Sequence, residues 1–185
     1  MTEPAQNAPR IFLKDYQVPE YLVDTINLFF DIQEDKTIVI ATSAFRRNPA
    51  STTKNPLVLN GAELVLKSIT LDNRTLTDKE YALGHETLSI ANVPDEFMLS
   101  VETEIDPAHN THLEGLYASG PMLCTQCEAQ GFRRITYYPD RPDVMVKFTT
   151  TIEADKTKYP VLLSNGNLVL SEAVEGDRQR LTWQD

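Results

Sequence analysis

Phe97, Leu99, Val101, Thr103 and Ile105 alternate with Met98, Ser100, Glu102 and Glu104, and this period of two constrains the fold more than any other feature of the chain. Side chains at i, i+2 and i+4 of a strand share a face, so the pattern sets an apolar row against a core and a polar row toward solvent. The pattern recurs near the N-terminus. Leu22, Asp24, Ile26, Leu28, Phe30 and Ile32 alternate with Val23, Thr25, Asn27, Phe29 and Asp31, which reads as a half-buried strand. The polar residues 33–36 turn it into a second, β-branched strand over 37–45, giving a hairpin.

Similar segments follow along the chain. Residues 48–56 form a Ser/Thr/Pro/Asn loop, 57–59 a short strand, Asn60-Gly61 a turn signal, 63–71 a strand and 72–74 another turn. Short strands around 81–83 and 87–90 flank Gly84-His85, and residues 92–95 break the run. Val144, Val146, Phe148, Thr150, Ile152 and Ala154 restore a strand; 161–164 and 168–171 read as a hairpin about Asn165-Gly166; 178–184 is the last strand. Helix is expected only over roughly 128–135 and in a short piece opening at Asp140, with Pro142 in its first turn and Asp143 at the capping-box position. The expectation is an all-β chain, a mostly antiparallel β-sandwich with one or two short helices. Residues 1–14, polar and Pro-containing, read as a poorly ordered lead-in, and 15–185 as one domain without repeat or linker. The last strand is expected near an open edge, where it would invite pairing with another copy.

Charge narrows the function classes. With 27 acidic and 17 basic residues the net charge is -10, and such a surface repels phosphate backbones, so nucleic acid is not an expected partner. Charged residues at 24% and hydrophobic ones at 41% place the chain among globular proteins. No apolar run reaches the length needed to span a bilayer, and residues 1–7 lack the basic and apolar regions of a signal peptide. A cytoplasmic protein is expected, and two cysteines fit that setting.

Polar, aromatic, cysteine and charged residues crowd together over 124–144. If this segment enters extended, Cys124, Gln126 and Glu128 share a face, and an amide beside a carboxylate makes an acceptor-rich pair suited to a protonated amine. The competing reading, favoured on chemistry alone, is that Thr125-x-x-Glu128 is a capping box with its carboxylate occupied by the backbone. Cys124-x-x-Cys127 lacks the βαβ context of a redox motif and the second ligand pair of a zinc site, so packed, reduced thiols are expected. His109, His112 and Glu114 have no fixed ligand geometry, and His85-Glu-Thr-Leu-Ser89 has Ser where His-Glu-x-x-His needs its second imidazole. No metal is expected on this chain. Arg133, Arg134 and Arg141, interleaved with Phe132, Tyr137 and Tyr138 and close to Asp140 and Asp143, read as members of internal ion pairs or of an interface.

The string Cys124-Thr-Gln-Cys-Glu-Ala-Gln-Gly-Phe-Arg-Arg-Ile-Thr-Tyr-Tyr138, followed by Asp140-Arg-Pro-Asp143, resembles the N-terminal domain of the bacterial aminopeptidase N family, zinc aminopeptidases of the gluzincin type. The resemblance extends over Asp15-Tyr16, Leu59-Asn-Gly61 and Asn110-Thr-x-Leu-Glu-Gly-Leu-Tyr117, then Lys147-Phe-Thr-Thr150, Lys158-Tyr-Pro160, Leu162-Leu-Ser-Asn-Gly-Asn167 and Trp183-Gln-Asp185.

The resemblance implies a saddle-like β-sandwich that packs on a catalytic domain of the same polypeptide. It implies that Gln126 and Glu128 hold the free α-amino group of a peptide substrate, together with a Glu of a Gly-Ala-Met-Glu-Asn motif in the next domain. It implies zinc in the complete enzyme and none on this chain, which contributes no catalytic residue and is expected to be inactive alone. Two other readings stand beside it: a free-standing β-sandwich module that binds peptides or a protein, and a thiol-based redox module that would require Cys124 and Cys127 to cycle.

Overall fold

The alternating segments pair into strands in the computed structural model, which describes residues 12–52 and 55–185. They are β1 (Tyr21–Ile32), β2 (Thr37–Arg47), β3 (Leu57–Asn60), β4 (Val65–Leu71), β5 (Arg74–Thr75), β6 (Tyr81–Leu83), β7 (Thr87–Ile90), β8 (Glu96–Ile105), β9 (Gly115–Ser119), β10 (Met122–Gln126), β11 (Lys147–Asp155), β12 (Asn167–Val174) and β13 (Arg178–Gln184). The lead-in read over 1–14 falls mainly outside the described residues; within them Leu13–Asp15 is a 3-10 helix.

The large sheet runs β12-β13-β11-β1-β2-β8-β4-β5, a second sheet runs β3-β7-β6, and β9 and β10 form a hairpin of their own. Pairing is antiparallel except between β1 and β11. The mostly antiparallel, all-β reading is borne out, with two single-turn 3-10 helices as the helical content of the described residues.

The predicted inward row of β8 is buried throughout, Phe97, Leu99, Val101, Thr103 and Ile105, and meets Leu57, Leu59, Leu88 and Ile90 of the second sheet in one continuous core. Thr103 belongs there because its hydroxyl donates to the Ile135 carbonyl at 3.0 Å, which satisfies the one polar group that an apolar row would otherwise strand.

In β1 the strict alternation fails. Val23 pairs with Phe45 but Thr25 with Ala44, so Asp24 is the extra residue of a bulge. The inward row is Tyr21 and Val23 before the bulge and Ile26, Leu28 and Phe30 after it, where simple alternation had put Leu22 and Asp24 with Ile26.

Two further expectations need correction. The Asp72-Asn73 turn forms as expected, both residues having positive φ (47° and 65°), as a two-residue hairpin requires. Residues 161–164, however, form no strand; Leu162 instead packs on Ala154 and Trp183, and β12 folds back onto β13 through residues 175–177. Consequently β13 is an interior strand and β12 is the edge at that end of the large sheet.

Helix is also shorter than expected. Thr125 is held in β10 opposite Leu116 and cannot start a helix, so the 128–135 segment contains only the 3-10 turn Phe132–Arg134. Asp140 opens no helix either, because its carboxylate is taken by Arg133, and the Asp143 carboxylate is held by Arg141 and Tyr16.

Candidate functional site

Residues 126–131 leave the end of β10, turn tightly, and enter the 3-10 helix Phe132–Arg134. The turn closes with Gly131 N–H donating to the Cys127 carbonyl at 2.8 Å, followed by Arg134 N–H donating to the Gly131 carbonyl at 3.1 Å. Gly131 is required for space: a Cβ there would strike the Gln126 carbonyl and sit 3.2 Å from Gly115 N. Gly115, opposite Gln126 in the hairpin, has φ +70, a left-handed conformation that disfavours a side chain.

The frame around this turn is polar and interlocked. Arg133 Nε donates to Asp140 Oδ2 at 2.9 Å, Asp140 N–H donates to Asn60 Oδ1 at 3.2 Å, and Asn60 and Tyr138 exchange backbone hydrogen bonds at 2.8 and 3.0 Å. Arg134 lies between Glu63 (2.8 Å) and Glu114 (3.2 Å), fastening the turn to the loop before β9. Arg141 Nε donates to Asp143 Oδ1 at 2.9 Å and draws that carboxyl below its usual range. The three arginines are thus engaged in internal pairs, as the sequence reading of them held.

Gln126 and Glu128 project from this frame into solvent, both exposed. The Gln126 Nε2 donates to the Glu128 backbone carbonyl at 3.2 Å, which orients the amide and leaves its Oε1 free to accept. The Glu128 carboxylate has no hydrogen-bond or ion-pair partner among the described residues, whereas Asp140 and Asp143 in the same stretch are both bound. The capping-box reading is overturned: Thr125 lies within a strand and the Glu128 carboxylate caps nothing. The two residues do come together, though through a turn rather than one strand face, and the peptide joining Glu128 to Ala129 is cis.

Cys124 and Cys127 are unpaired and half-buried. Burial, reinforced by the negative charge of Asp140, pushes the Cys127 thiol up to about 11. His109 pairs with Asp106 at 2.7 Å and His112 with Glu63 at 2.9 Å, two separate contacts. Among the described residues no group of three or more His, Cys, Asp or Glu side chains is placed to hold a metal. No helix among them is long and apolar enough to cross a membrane. Sequence reasoning missed Gly131, Gly115 and Asn60 as shapers of the turn. Their only sequence signal was their place in the strings of the resemblance, Asn60 in Leu59-Asn-Gly61, Gly115 in Asn110-Thr-x-Leu-Glu-Gly-Leu-Tyr117 and Gly131 in the string from Cys124 to Tyr138.

Comparison with known proteins places this geometry in context. The family model for the peptidase M1 N-terminal domain matches residues 18–185. Aminopeptidase N of Escherichia coli (strain K12) is 50% identical over 171 residues, covering 92% of this chain and 19% of that protein. Aminopeptidase N of Caulobacter vibrioides is 48% identical over 173 residues, covering 94% of this chain and 20% of that protein. The crystal structure of Legionella pneumophila aminopeptidase A in complex with aspartic acid superposes with a TM-score of 0.89 at 32% identity, covering 94% of this chain and 20% of that one. An M1 zinc metallopeptidase of Deinococcus radiodurans shares the fold, with a TM-score of 0.71 at 13% identity over 89% of this chain and 39% of that one. The chain therefore spans about a fifth of the length of the curated relatives it matches.

Proposed function

Since the chain belongs to the family of peptidase M1 N-terminal domains, we propose that residues 15–185 are the N-terminal β-sandwich domain of a zinc aminopeptidase that removes N-terminal amino acids from peptides. The observation that supports a binding role for this chain is the Glu128 carboxylate beside the Oε1 of Gln126, both without a partner among the described residues. A protonated α-amine offers three N–H donors, and two acceptors on one turn can take two of them in charge-assisted hydrogen bonds. Holding the amine fixes the distance from the peptide N-terminus to the first carbonyl and rejects peptides whose N-terminus is blocked.

When bound in the complete enzyme, zinc would supply the Lewis acid that activates water for attack on that carbonyl. Its ligands would come from the catalytic domain of the same polypeptide, because this chain has no His-Glu-x-x-His, and His109 and His112 serve separate carboxylates. The role of Gln126 and Glu128 is accordingly to position the substrate, and this chain alone is inactive in this reading. A cytoplasmic setting belongs to the same proposal, and two unpaired cysteines fit a reducing compartment.

The test is Glu128→Ala in the complete polypeptide, assayed on dipeptides with a free amine. Misplacement of a substrate can cost about a hundredfold in rate, and a fall of kcat/KM approaching that size is expected. An unchanged kcat/KM removes the assignment. An immunoblot of source cells at the mass of this chain, 20.9 kDa, removes the longer-enzyme reading altogether.

A further inference from the structure

An apolar groove of about 470 Å³ opens on the large sheet. Its floor is Leu28, Phe30 and Ile32 of β1 beside Phe148, Thr150 and Ile152 of β11, set side by side by the parallel register that pairs Leu28 with Thr150 and Phe30 with Ile152. One wall is Phe132 and Cys127; the other is the irregular segment carrying Leu163, Ser164 and Asn165. The groove is within the size range of ligand clefts, roughly 300–1,000 Å³, but its lining is that of a protein interior cut open.

Strand β11 shows the cut most clearly. It lies between β1 and β13, yet none of residues 148–153 is fully buried, where an interior strand ordinarily buries one row. At the rim, Leu163 is 79% exposed, the kind of apolar exposure that marks a surface awaiting cover.

The end of the chain lies at the same place. Asp185 lines the groove, held by a reciprocal backbone pair with Phe148 at 3.0 Å in each direction. The rim segment rests on it: a Cβ at Gly166 would strike the Gln184 carbonyl and lie 2.8 Å from Asp185 N. The matching relatives are about five times longer than this chain, and the matching family model is that of an N-terminal domain, so in a protein of their length polypeptide leaves Asp185 directly at the groove mouth.

We infer that this groove is the seat of the segment that follows Asp185 in the complete polypeptide, an extended stretch whose alternate apolar side chains complete the core above β1 and β11. The inference rests on the longer-enzyme reading above. The floor from Phe148 to Ile152 is about 13 Å long at ~3.3 Å per residue, so a segment of about five residues crosses it. Its apolar row faces the floor while its polar row faces outward, the half-buried pattern of a strand. The groove then belongs to the architecture of the enzyme and is closed to substrate.

Two measurements on the complete polypeptide decide the matter. In the first, a photo-crosslinking p-benzoylphenylalanine replaces Leu163, and the crosslinked peptide is read by mass spectrometry. A crosslink within about fifteen residues after Asp185 is the expected result, the reach being about 3.3 Å per extended residue. A crosslink to a distant part of the polypeptide, to a second copy or to added peptide, or no crosslink, overturns the inference. In the second, Thr150→Trp fills the groove from its floor: an occupied groove becomes overpacked and Tm falls by several degrees, whereas an unchanged or higher Tm means that the groove is empty. If Thr150→Trp fails to fold, the crosslink alone decides. A native product of large mass with an open groove sinks this inference and leaves the enzyme reading standing; a native product of this chain's own mass sinks both.

Discussion

Arg133 and Asp140 are joined by three contacts: the Arg133 backbone N–H at 3.2 Å and Nε at 2.9 Å both donate to Asp140 Oδ2, and Nη2 donates to the Asp140 carbonyl at 3.3 Å. Both side chains are largely buried, at 16% and 10% exposure. The pair ties the 3-10 turn to the segment that bonds to Asn60 at the end of β3, and so fixes the turn bearing Gln126 and Glu128 relative to the second sheet.

Removing one partner of such a pair leaves a buried charge alone. Asp140→Ala is expected to cost about 3 kcal/mol. At roughly 2–4 °C per kcal/mol for a chain of this size, Tm should fall by about 6–12 °C in a thermal melt. The double change Arg133→Met with Asp140→Leu should lose less than Asp140→Ala, because no uncompensated charge remains. A double variant weaker than the single one would show that the pair is net stabilising on its own account.

Gly131→Ala forces a methyl group against the Gln126 carbonyl. The displacement bears directly on one of the two proposed acceptors. In the complete polypeptide, kcat/KM on free-amine peptides should fall by about tenfold to a hundredfold, while the melt loses only ~1–3 kcal/mol. Equal kinetics with a lowered Tm would separate the turn from substrate positioning.

The Cys127 thiol, pushed up to about 11 from 9.0, carries about a hundredfold less thiolate at neutral pH than an ordinary thiol. Alkylation of Cys127 by iodoacetamide, followed by mass spectrometry, should be slower than that of a free thiol by that factor at pH 7.5. The rate should rise about tenfold per pH unit until pH nears 11, since only the thiolate reacts. A rate that levels off near pH 9 would contradict the burial of this sulfur.

Four carboxylates are held below their ordinary range: Asp143 by its hydrogen bond from Arg141, Glu104 by Lys36 and Lys67, Asp106, against its own desolvation, by the side chain and backbone N–H of His109, and Glu80 by the backbone and hydroxyl of Thr77, which draw it from 4.5 to about 2. A depressed folded-state value means that the unfolded chain binds the proton more tightly, so stability is intact above the unfolded value and is lost as pH falls through the folded one. Tm should therefore hold near neutrality and decline as pH falls below about 4.5, with the Glu80 share lost by about 2. Asp143→Asn should flatten that decline. An Asp143→Asn variant with an unaltered slope would remove this pair from the acid response.

Much of the fold was legible because strands such as β2 and β8 declare their faces by local alternation. β8 is the clearest case: every residue of its predicted apolar row is buried. β1 was legible as a strand but not in its facing, since the bulge at Asp24 shifts the row by one and no alternation pattern announces where an extra residue will be tolerated. The helix expected over 128–135 failed because Thr125, a good cap by type, was already engaged with Leu116 across a hairpin. The carboxylate of Asp140 likewise went to Arg133 rather than to a helix N-terminus.

The sequence by itself determined the all-β class, the strands β1, β2, β7 and β8, the turn at Asp72-Asn73 and the acidic balance, but not the β9–β10 hairpin that places Gln126 and Glu128. These depend on neighbours a few residues away, where backbone periodicity and side-chain chemistry act directly. Only the tertiary structure decided that β12 rather than β13 forms the edge at its end of the large sheet, that Leu162 leaves the expected strand for Trp183, and that β1 and β11 run parallel beneath an open groove. Those choices turn on contacts between residues more than a hundred positions apart in the last case. Long-range pairing of this kind is selected by burial and hydrogen-bond satisfaction summed over the whole sheet, which no local pattern encodes.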